Sequence, residues 1–133
     1  MKILINALDD EPVMNEWLVE LFKDSVYDLK VFSDPKQFIE AFTPDTDVII
    51  TDMRVPGYLL YNALEYFKTK RPYGLYIIVM SAYFDVEICE RLFELDVDRI
   101  VQKGSTMDWM QKIPQYVNEF FPRISQRQIL AEI

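Results

Sequence analysis

The chain has 133 residues and a formal net charge of −8, and it contains one Cys, few Gly and no His. These counts exclude an internal disulfide, a Cys/His zinc cluster, chemistry that requires imidazole, and Gly-rich phosphate-binding loops. The negative charge argues against direct binding of nucleic acid or of an anionic membrane by this domain. The length and the apolar content of 50% fit one globular domain with a sizeable core.

The sequence shows no targeting or membrane-spanning segment. The run from Met1 to Asn6 is too short, and too quickly followed by acidic residues, for a signal peptide. No apolar run approaches the length that crosses a membrane. We therefore expect a cytoplasmic protein with one domain over residues 1–122, followed at 123–133 by a tail or the start of a linker.

Five apolar runs alternate with helical segments along the chain. The runs that predict strands are Ile3–Leu8, Leu29–Phe32, Val48–Thr51, Tyr76–Met80 and Arg99–Gln102. The predicted helices run from Pro12 to about Lys23, from Pro35 to include Phe42, from Tyr58 to Lys70, from Asp85 to Leu95, and from Ser105 or Thr106 to Phe121. Such alternation is typical of an α/β fold, and it predicts right-handed crossovers, a parallel sheet and a three-layer α/β/α sandwich.

The spacing of apolar residues also predicts which helix faces are buried. The predicted inward stripes are Val13, Trp17, Leu18, Leu21 and Phe22 in the first helix, and Val86, Cys89, Leu92 and Phe93 in the fourth. Pro114 falls inside the last predicted helix, which must therefore kink there or start later. Outside the predicted core, an apolar surface patch could be formed by Phe84, Trp109 and Met110.

Polar side chains follow four of the five predicted strands. They are Asp9 and Asp10 after the first strand, Asp52 after the third, Ser81 after the fourth and Lys103 after the fifth. Parallel strands present their carboxyl ends at one edge of a sheet, so these groups are expected to meet. Two carboxylates about 4 Å apart repel by roughly 4 kcal/mol at an effective dielectric constant near 20. Three carboxylates therefore favour a bound oxygen-seeking cation of the Mg²⁺ type.

With such an ion present, the Asp52 carboxylate stays ionised and can attack an electrophilic phosphorus. Lys103 would neutralise phosphoryl oxygens and Ser81 would donate a hydrogen bond to them. Each residue alone has a simpler explanation, because strand-end Asp and Ser residues are often turn or cap residues and a strand-end Lys is often solvated. Their joint occurrence at four strand ends favours a phosphoryl-acceptor site.

The same residues resemble the receiver domain of bacterial two-component response regulators, the CheY-like family. The resemblance extends over about Met1 to Phe121 and rests on Asp9-Asp10-Glu11-Pro12, Asp52 with Pro56-Gly57, Ser81-Ala82 and Lys103. It implies a flavodoxin-like (βα)5 topology and phosphoryl transfer to Asp52 from a sensor histidine kinase or a phosphotransfer protein. It also implies a phosphorylation switch rather than a turnover enzyme.

The resemblance further implies the ligands of the ion. Mg²⁺ would be held directly by Asp10, Asp52 and the backbone carbonyl of Arg54, with Asp9 acting mainly through water. Ser81 and Lys103 would contact the phosphoryl group and pull their loops toward it. An output protein or a second copy would bind the last two helices and the strand between them.

Three positions depart from the family pattern. Ile100 stands where an aromatic switch residue is usual, and an Ile cannot report a rotamer change as Tyr or Phe does. Gly104 replaces the Pro that usually follows the Lys, so no cis peptide is expected there, because non-proline cis bonds cost about 2.5–4 kcal/mol. Val55 replaces the usual Met before Pro56, which is a mild change.

Arg54 and Tyr83 lie two residues after Asp52 and Ser81, at places that flank the phosphoryl group in the family. The bulk of Tyr83 is expected to hinder the approach of in-line water and to slow hydrolysis of phosphorylated Asp52. The alternative is that the Tyr83 side chain packs outward against a partner.

Two other function classes remain open from the residues. A pseudo-receiver, which uses the same fold as a constitutive interaction surface, is favoured by Ile100 and Gly104 and disfavoured by the complete strand-end set. An aspartyl phosphohydrolase would place a second carboxylate two residues after its nucleophile, and Arg54 stands there.

Overall fold

The structure is a computed structural model that describes residues 2–121. Its five parallel strands form one sheet in the order β2-β1-β3-β4-β5. The strands are β1 (Ile3–Leu8), β2 (Tyr27–Phe32), β3 (Val48–Asp52), β4 (Tyr76–Ser81) and β5 (Arg99–Gln102). This is the flavodoxin-like order, in which the chain changes direction across the sheet between β1 and β3. The predicted fold class is confirmed.

A helix follows each strand, and the helices cover both faces of the sheet. They are α1 (Pro12–Leu21), α2 (Pro35–Ala41), α3 (Leu60–Lys70), α4 (Val86–Glu94) and α5 (Lys112–Phe120). Two of them begin at a proline, which has no N–H to leave unpaired in a first turn. The side chain of Asp34 caps α2 through the N–H of Gln37, and the side chain of Asp85 caps α4 through the N–H of Ile88.

The last helix begins later than Ser105 or Thr106, as the position of Pro114 requires. A 3₁₀ turn over Met107–Gln111 comes first, and α5 follows it with Pro114 in its first turn. The 3₁₀ turn buries Trp109 and Met110 in the core next to α5. Trp109 and Met110 therefore do not contribute to the apolar surface patch that the sequence left possible.

The sheet is covered by two separate apolar cores. One lies under α1 and α5 and is centred on side chains from alternate positions of the strands, including Ile5, Ile50, Ile78 and Val101. The other lies under α2, α3 and α4 and takes the opposite side chains, including Ile49, Ile77 and Val79. The strands β3 and β4 are buried at every position, as expected for central strands of a parallel sheet.

In two helices the predicted inward stripe is confirmed only in part, because it contains the buried Leu18 and Leu92 but also exposed residues. In α1 the buried residues are Asn15 and Leu18, whereas Val13 and Trp17 are about half exposed. In α4 the buried residue is Leu92, and Val86 is 74% exposed. Apolar residues at a protein surface are common, so an apolar stripe read from the sequence can include exposed positions.

Within residues 2–121 no helix combines the length and the hydropathy that a bilayer span requires. Peptide bonds in the described part of the chain are trans, including the bond that joins Lys103 to Gly104. The tail predicted for residues 123–133 lies outside the described residues, and the domain boundary at residue 122 stays a prediction.

Candidate functional site

The carboxyl edge of the sheet brings the predicted site residues together. Hydrogen-bonded neighbours in the ladder pair Leu8 with Thr51, and Asp52 with Met80, so the ends of β1, β3 and β4 are level. One carboxylate oxygen each from Asp9, Asp10 and Asp52 lies within 4.8 Å of the other two. The Asp9 and Asp52 side chains are buried, and that of Asp10 is exposed.

The side chain of Lys103 enters this cluster from the end of β5. Its Nζ donates a hydrogen bond to Oδ2 of Asp9 at 2.9 Å and lies 3.4 Å from Oδ2 of Asp52. Burial alone would lower the pKa of the Lys103 ammonium, but the hydrogen bond and charge of Asp9, together with Asp52, outweigh burial and raise it. The ammonium is therefore firmly protonated in the folded protein.

The Asp52 carboxyl lies in an environment that disfavours its charge. Burial raises the pKa of Asp52, and the charge of Asp9 adds to this effect, although Lys103 opposes it. The positive charge of Lys103 thus only partly offsets the negative charges of Asp9 and Asp52. A further cation at this edge would complete the neutralisation.

The donor set fits a hard divalent cation. All the side-chain donors are carboxylate oxygens, which Mg²⁺ prefers, and the exposure of Asp10 leaves an open side where bound water can remain. The main chain of Arg54 belongs to the loop that leaves β3, two residues beyond Asp52. The residues present therefore fit Mg²⁺, with Asp9, Asp10, Asp52 and the Arg54 carbonyl as the candidate ligands.

Ser81 ends β4 beside Asp52 and is buried. Its Oγ accepts a hydrogen bond from the N–H of Tyr83 at 3.3 Å, which leaves the hydroxyl hydrogen free to be donated to another oxygen. The Tyr83 ring is half exposed and lies 5.9 Å from the guanidinium carbon of Arg54, as measured to the ring centroid. Arg54 and Tyr83 therefore contact each other across the mouth of the site.

The two unusual positions near Lys103 have structural explanations. The Ile100 side chain is partly buried against the core under α2, α3 and α4. Gly104 lies against the indole of Trp109, and a Cβ at that position would be 3.6 Å from Cδ1 of the ring. Position 100 thus contributes to packing, and position 104 has room for a small side chain.

Sequence reasoning missed two side chains that support the site. Asn15, in the first half of α1, is buried and donates hydrogen bonds from Nδ2 to the main-chain oxygens of Asp9 and Phe32. It ties the end of β1 to the end of β2 and so fixes the start of the acidic segment. The second is Tyr58, whose hydroxyl reaches Thr51 directly before Asp52. Neither residue type is distinctive enough to signal these contacts in the sequence.

Comparison with known families gives a match over most of the chain. Residues 5–114 match the family model described as response regulator receiver domain. No curated protein sequence matches the chain significantly.

Solved structures of low sequence identity share the fold. The response regulator DrrB of Thermotoga maritima has 22% identity and a TM-score of 0.77, over 92% of this chain and 54% of that one. The receiver domain of a putative LuxO repressor protein from Vibrio parahaemolyticus has 16% identity and a TM-score of 0.76, over 98% of both chains. Chemotaxis protein CheY4 of Vibrio cholerae has 15% identity and a TM-score of 0.71, over 88% of this chain and 99% of that one.

Proposed function

This chain belongs to the family of response regulator receiver domains, and from that premise we propose that Asp52 is its phosphoryl acceptor in a Mg²⁺-dependent reaction. The observation that carries the proposal is the convergence of three carboxylates and one ammonium at the carboxyl edge of the sheet, with Lys103 Nζ 3.4 Å from Asp52 Oδ2. Receiver domains act as phosphorylation switches in two-component signalling, and the proposal assigns that role to named residues here.

The proposed step is an in-line displacement at phosphorus. A carboxylate oxygen of Asp52 forms a bond to the phosphorus of a phosphohistidine on the donor protein, and the P–N bond breaks. The electron pair of that bond stays on the imidazole nitrogen, which is then free to take a proton. These 133 residues contain no His, so the phosphohistidine of the proposed donor lies outside them.

The residues around Asp52 divide the remaining work. Mg²⁺, when bound by Asp10, Asp52 and the Arg54 carbonyl with Asp9 acting through water, supplies charge neutralisation and orientation of the phosphoryl group. Lys103 is placed to stabilise negative charge on a phosphoryl oxygen, and Ser81 to donate its free hydroxyl hydrogen to another. No group at the site resembles the acid that a turnover phosphohydrolase needs two residues after its nucleophile, since Arg54 stands there.

Phosphorylation would add nearly two negative charges to a site that already holds several carboxylates. Because Lys103 and Ser81 sit on different strand ends, contacts with the phosphoryl group would pull both loops inward and shift a two-state equilibrium. We propose that a histidine kinase or a phosphotransfer protein phosphorylates the domain in the cytoplasm. An output protein or a second copy of the chain would then recognise the shifted conformation at α4, β5 and α5.

The experiment uses acetyl phosphate as a small phosphodonor and intact-mass spectrometry as the measurement. The expected result is the gain of one phosphoryl group that requires Mg²⁺, is abolished by a chelator and is absent in Asp52→Asn. The matched control is Asp45→Asn, which changes an exposed loop carboxylate and should leave the reaction unchanged. A wild-type protein that folds but gains no mass would overturn the proposal and favour a pseudo-receiver.

A further inference from the structure

Tyr58 lies near the end of the loop of residues 53–59, which leaves β3 and carries Arg54. Its side chain is only 8% exposed, and its ring packs edge to face against Phe38 with centroids 6.2 Å apart. Its N–H donates to the main-chain oxygen of Val55 at 3.0 Å and closes a tight turn. Gly57 has a φ of 77°, the left-handed conformation required at the third position of such a turn, and Pro56 precedes it.

The hydroxyl of Tyr58 makes a second contact, back to the end of β3. Its oxygen lies 3.0 Å from Oγ1 of Thr51, and that Oγ1 lies 2.9 Å from the main-chain oxygen of Asp52. Thr51 has one hydroxyl hydrogen and a carbonyl can only accept, so Thr51 donates to Asp52 and Tyr58 donates to Thr51. A chain of two hydrogen bonds thus connects the far end of the loop with the backbone of the proposed acceptor.

This chain of hydrogen bonds lies in an apolar environment, where the two hydroxyls have few alternative partners. Thr51 is fully buried, and burial raises the pKa of Tyr58, so its phenol stays protonated and remains a donor. A buried hydroxyl without a partner is costly, and any shift of the loop that separated the two oxygens would leave the Tyr58 hydroxyl without its acceptor. An apolar side chain at position 58 could fill the same space, but it would lack the hydrogen bond that fixes the position of the loop relative to the end of β3.

We propose that the Tyr58–Thr51 hydrogen bond is a positioning contact that sets the affinity of the Asp52 site for Mg²⁺. The inference rests on the proposed function, because it assumes that the Arg54 carbonyl and the Asp52 carboxylate are ligands. Tyr58 and Thr51 touch neither the ion nor the phosphoryl group in this proposal. They act through the loop between them.

The loop is held at both ends, and between them Val55, next to Arg54, is buried in the core under α2, α3 and α4. At its start the N–H of Met53 donates to the main-chain oxygen of Met80 at 2.8 Å, which extends the ladder between β3 and β4. At its end Tyr58 provides the turn, the buried ring and the hydroxyl contact. Arg54 lies between these anchors and is exposed. Mg²⁺ demands near-ideal octahedral geometry, so a ligand carbonyl that is free to drift weakens binding.

The test is a calorimetric titration with Mg²⁺ alone, applied to Tyr58→Phe, Thr51→Val and the double variant. We expect the dissociation constant of Tyr58→Phe to rise about tenfold, the lower end of the effect of outer partners on metal ligands. The double variant should bind Mg²⁺ about as weakly as Thr51→Val alone, because both substitutions remove the Tyr58–Thr51 contact and Thr51→Val also removes the hydrogen bond to the Asp52 main-chain oxygen. Thr51→Ser, which keeps the hydroxyl, should restore wild-type affinity.

Two controls separate positioning from general destabilisation. Tyr66→Phe removes the hydroxyl of a partly exposed ring on α3 and should bind Mg²⁺ as the wild type does. In the reaction with acetyl phosphate, Tyr58→Phe should need more Mg²⁺ for half-maximal rate but reach the same maximal rate. Thermal unfolding confirms that each variant is folded at the temperature of the titration.

The outcomes distinguish this inference from the proposed function. Wild-type protein that binds Mg²⁺, together with Tyr58→Phe and Thr51→Val variants of unchanged affinity, would overturn the inference and leave the proposed function standing. A lower maximal rate at saturating Mg²⁺ with unchanged affinity would overturn it too. Wild-type protein that takes up no Mg²⁺ would overturn both.

Discussion

The Nζ atom of Lys103 lies 2.9 Å from Oδ2 of Asp9, so an ion pair joins two residues that are separated by 94 positions in the sequence. The Asp9 side chain is fully buried and that of Lys103 is 13% exposed. This pair connects the ends of β1 and β5, which are not neighbours in the sheet. Both β3 and β4 lie between these two strands, and the same Lys103 Nζ is also 3.4 Å from Oδ2 of Asp52 at the end of β3.

Substitution Lys103→Met should destabilise the metal-free protein by about 3 kcal/mol, because it leaves a buried carboxylate without its cation. Mg²⁺ should restore more stability to this variant than to the wild type, since it supplies the missing positive charge. Chemical denaturation with and without Mg²⁺ measures both effects. The control Lys23→Met breaks an exposed pair with Glu20 and should change stability by less than about 1 kcal/mol. Equal losses in the two variants would contradict the prediction.

The ion pair also predicts a dependence on pH. Burial lowers the pKa of the Lys103 ammonium, but Asp9 and Asp52 raise it by more, so the pKa is raised in the folded protein. Its contribution to stability is therefore fully present below the ordinary pKa of lysine and is lost as the pH rises through the folded value. The stability difference between wild type and Lys103→Met should be constant through neutral pH and shrink in strongly alkaline solution, as measured by denaturation at several pH values.

Asp52→Asn should raise the midpoint of thermal unfolding by a few degrees at pH 7 without Mg²⁺. Burial raises the pKa of the Asp52 carboxyl, so the folded protein holds this proton more tightly than the unfolded chain does. Stability is therefore lost as the pH rises through the folded pKa, and the amide avoids that loss. The advantage should vanish below the ordinary pKa of aspartate. Asp45→Asn is the control; an advantage of the same size at every pH would contradict this explanation.

Tyr83→Ala should shorten the lifetime of phosphorylated Asp52 several-fold, because the bulk of the ring beside Arg54 is removed from the mouth of the site. The measurement is the decay of the phosphorylated mass after the phosphodonor is removed. Tyr73→Ala removes a more exposed ring in the loop before β4 and should leave the decay unchanged. An unchanged lifetime in Tyr83→Ala would favour the alternative in which this ring contacts a partner.

Two residues of the predicted inward stripe of α4 differ in burial, and this difference leads to a prediction about stability. Leu92→Ala should cost about 2–5 kcal/mol, because the side chain is fully buried under the helix. Val86→Ala should change the free energy of unfolding by less than about 0.5 kcal/mol, since that residue is 74% exposed. Denaturant titration of the two variants checks the difference, and similar losses in both would indicate that Val86 is buried as the sequence predicted.

The strands could be predicted from the sequence because three of them leave continuous or nearly continuous apolar runs. The edge strand β2 was predicted too short, since Asp28 and Lys30 interrupt its pattern and its residues are mostly half buried. The strand-end residues of the site followed from a general rule of parallel sheets, which fixes where carboxyl ends meet without any knowledge of side-chain contacts.

Contacts between side chains were beyond the reach of the sequence. An Asn inside a helix is usually a surface residue, so nothing marked Asn15 as the buried link between β1 and β2. The same holds for Tyr58 and Thr51, whose hydrogen bond depends on how the loop folds back onto the end of β3 and not on their spacing in the sequence. The half-exposed Trp17 shows the converse, because large apolar side chains do not have to be inside.

The burial of Trp109 gives the protein an optical probe of its own. The indole rests on Gly104, the residue directly after Lys103, so a displacement of that segment changes the polarity around the ring. The second indole, that of Trp17, is open to solvent and accessible to collisional quenchers. When a quencher suppresses the fluorescence of Trp17, the remaining fluorescence comes from Trp109 and reports on the segment beside Lys103. Titrations can then be monitored without a label.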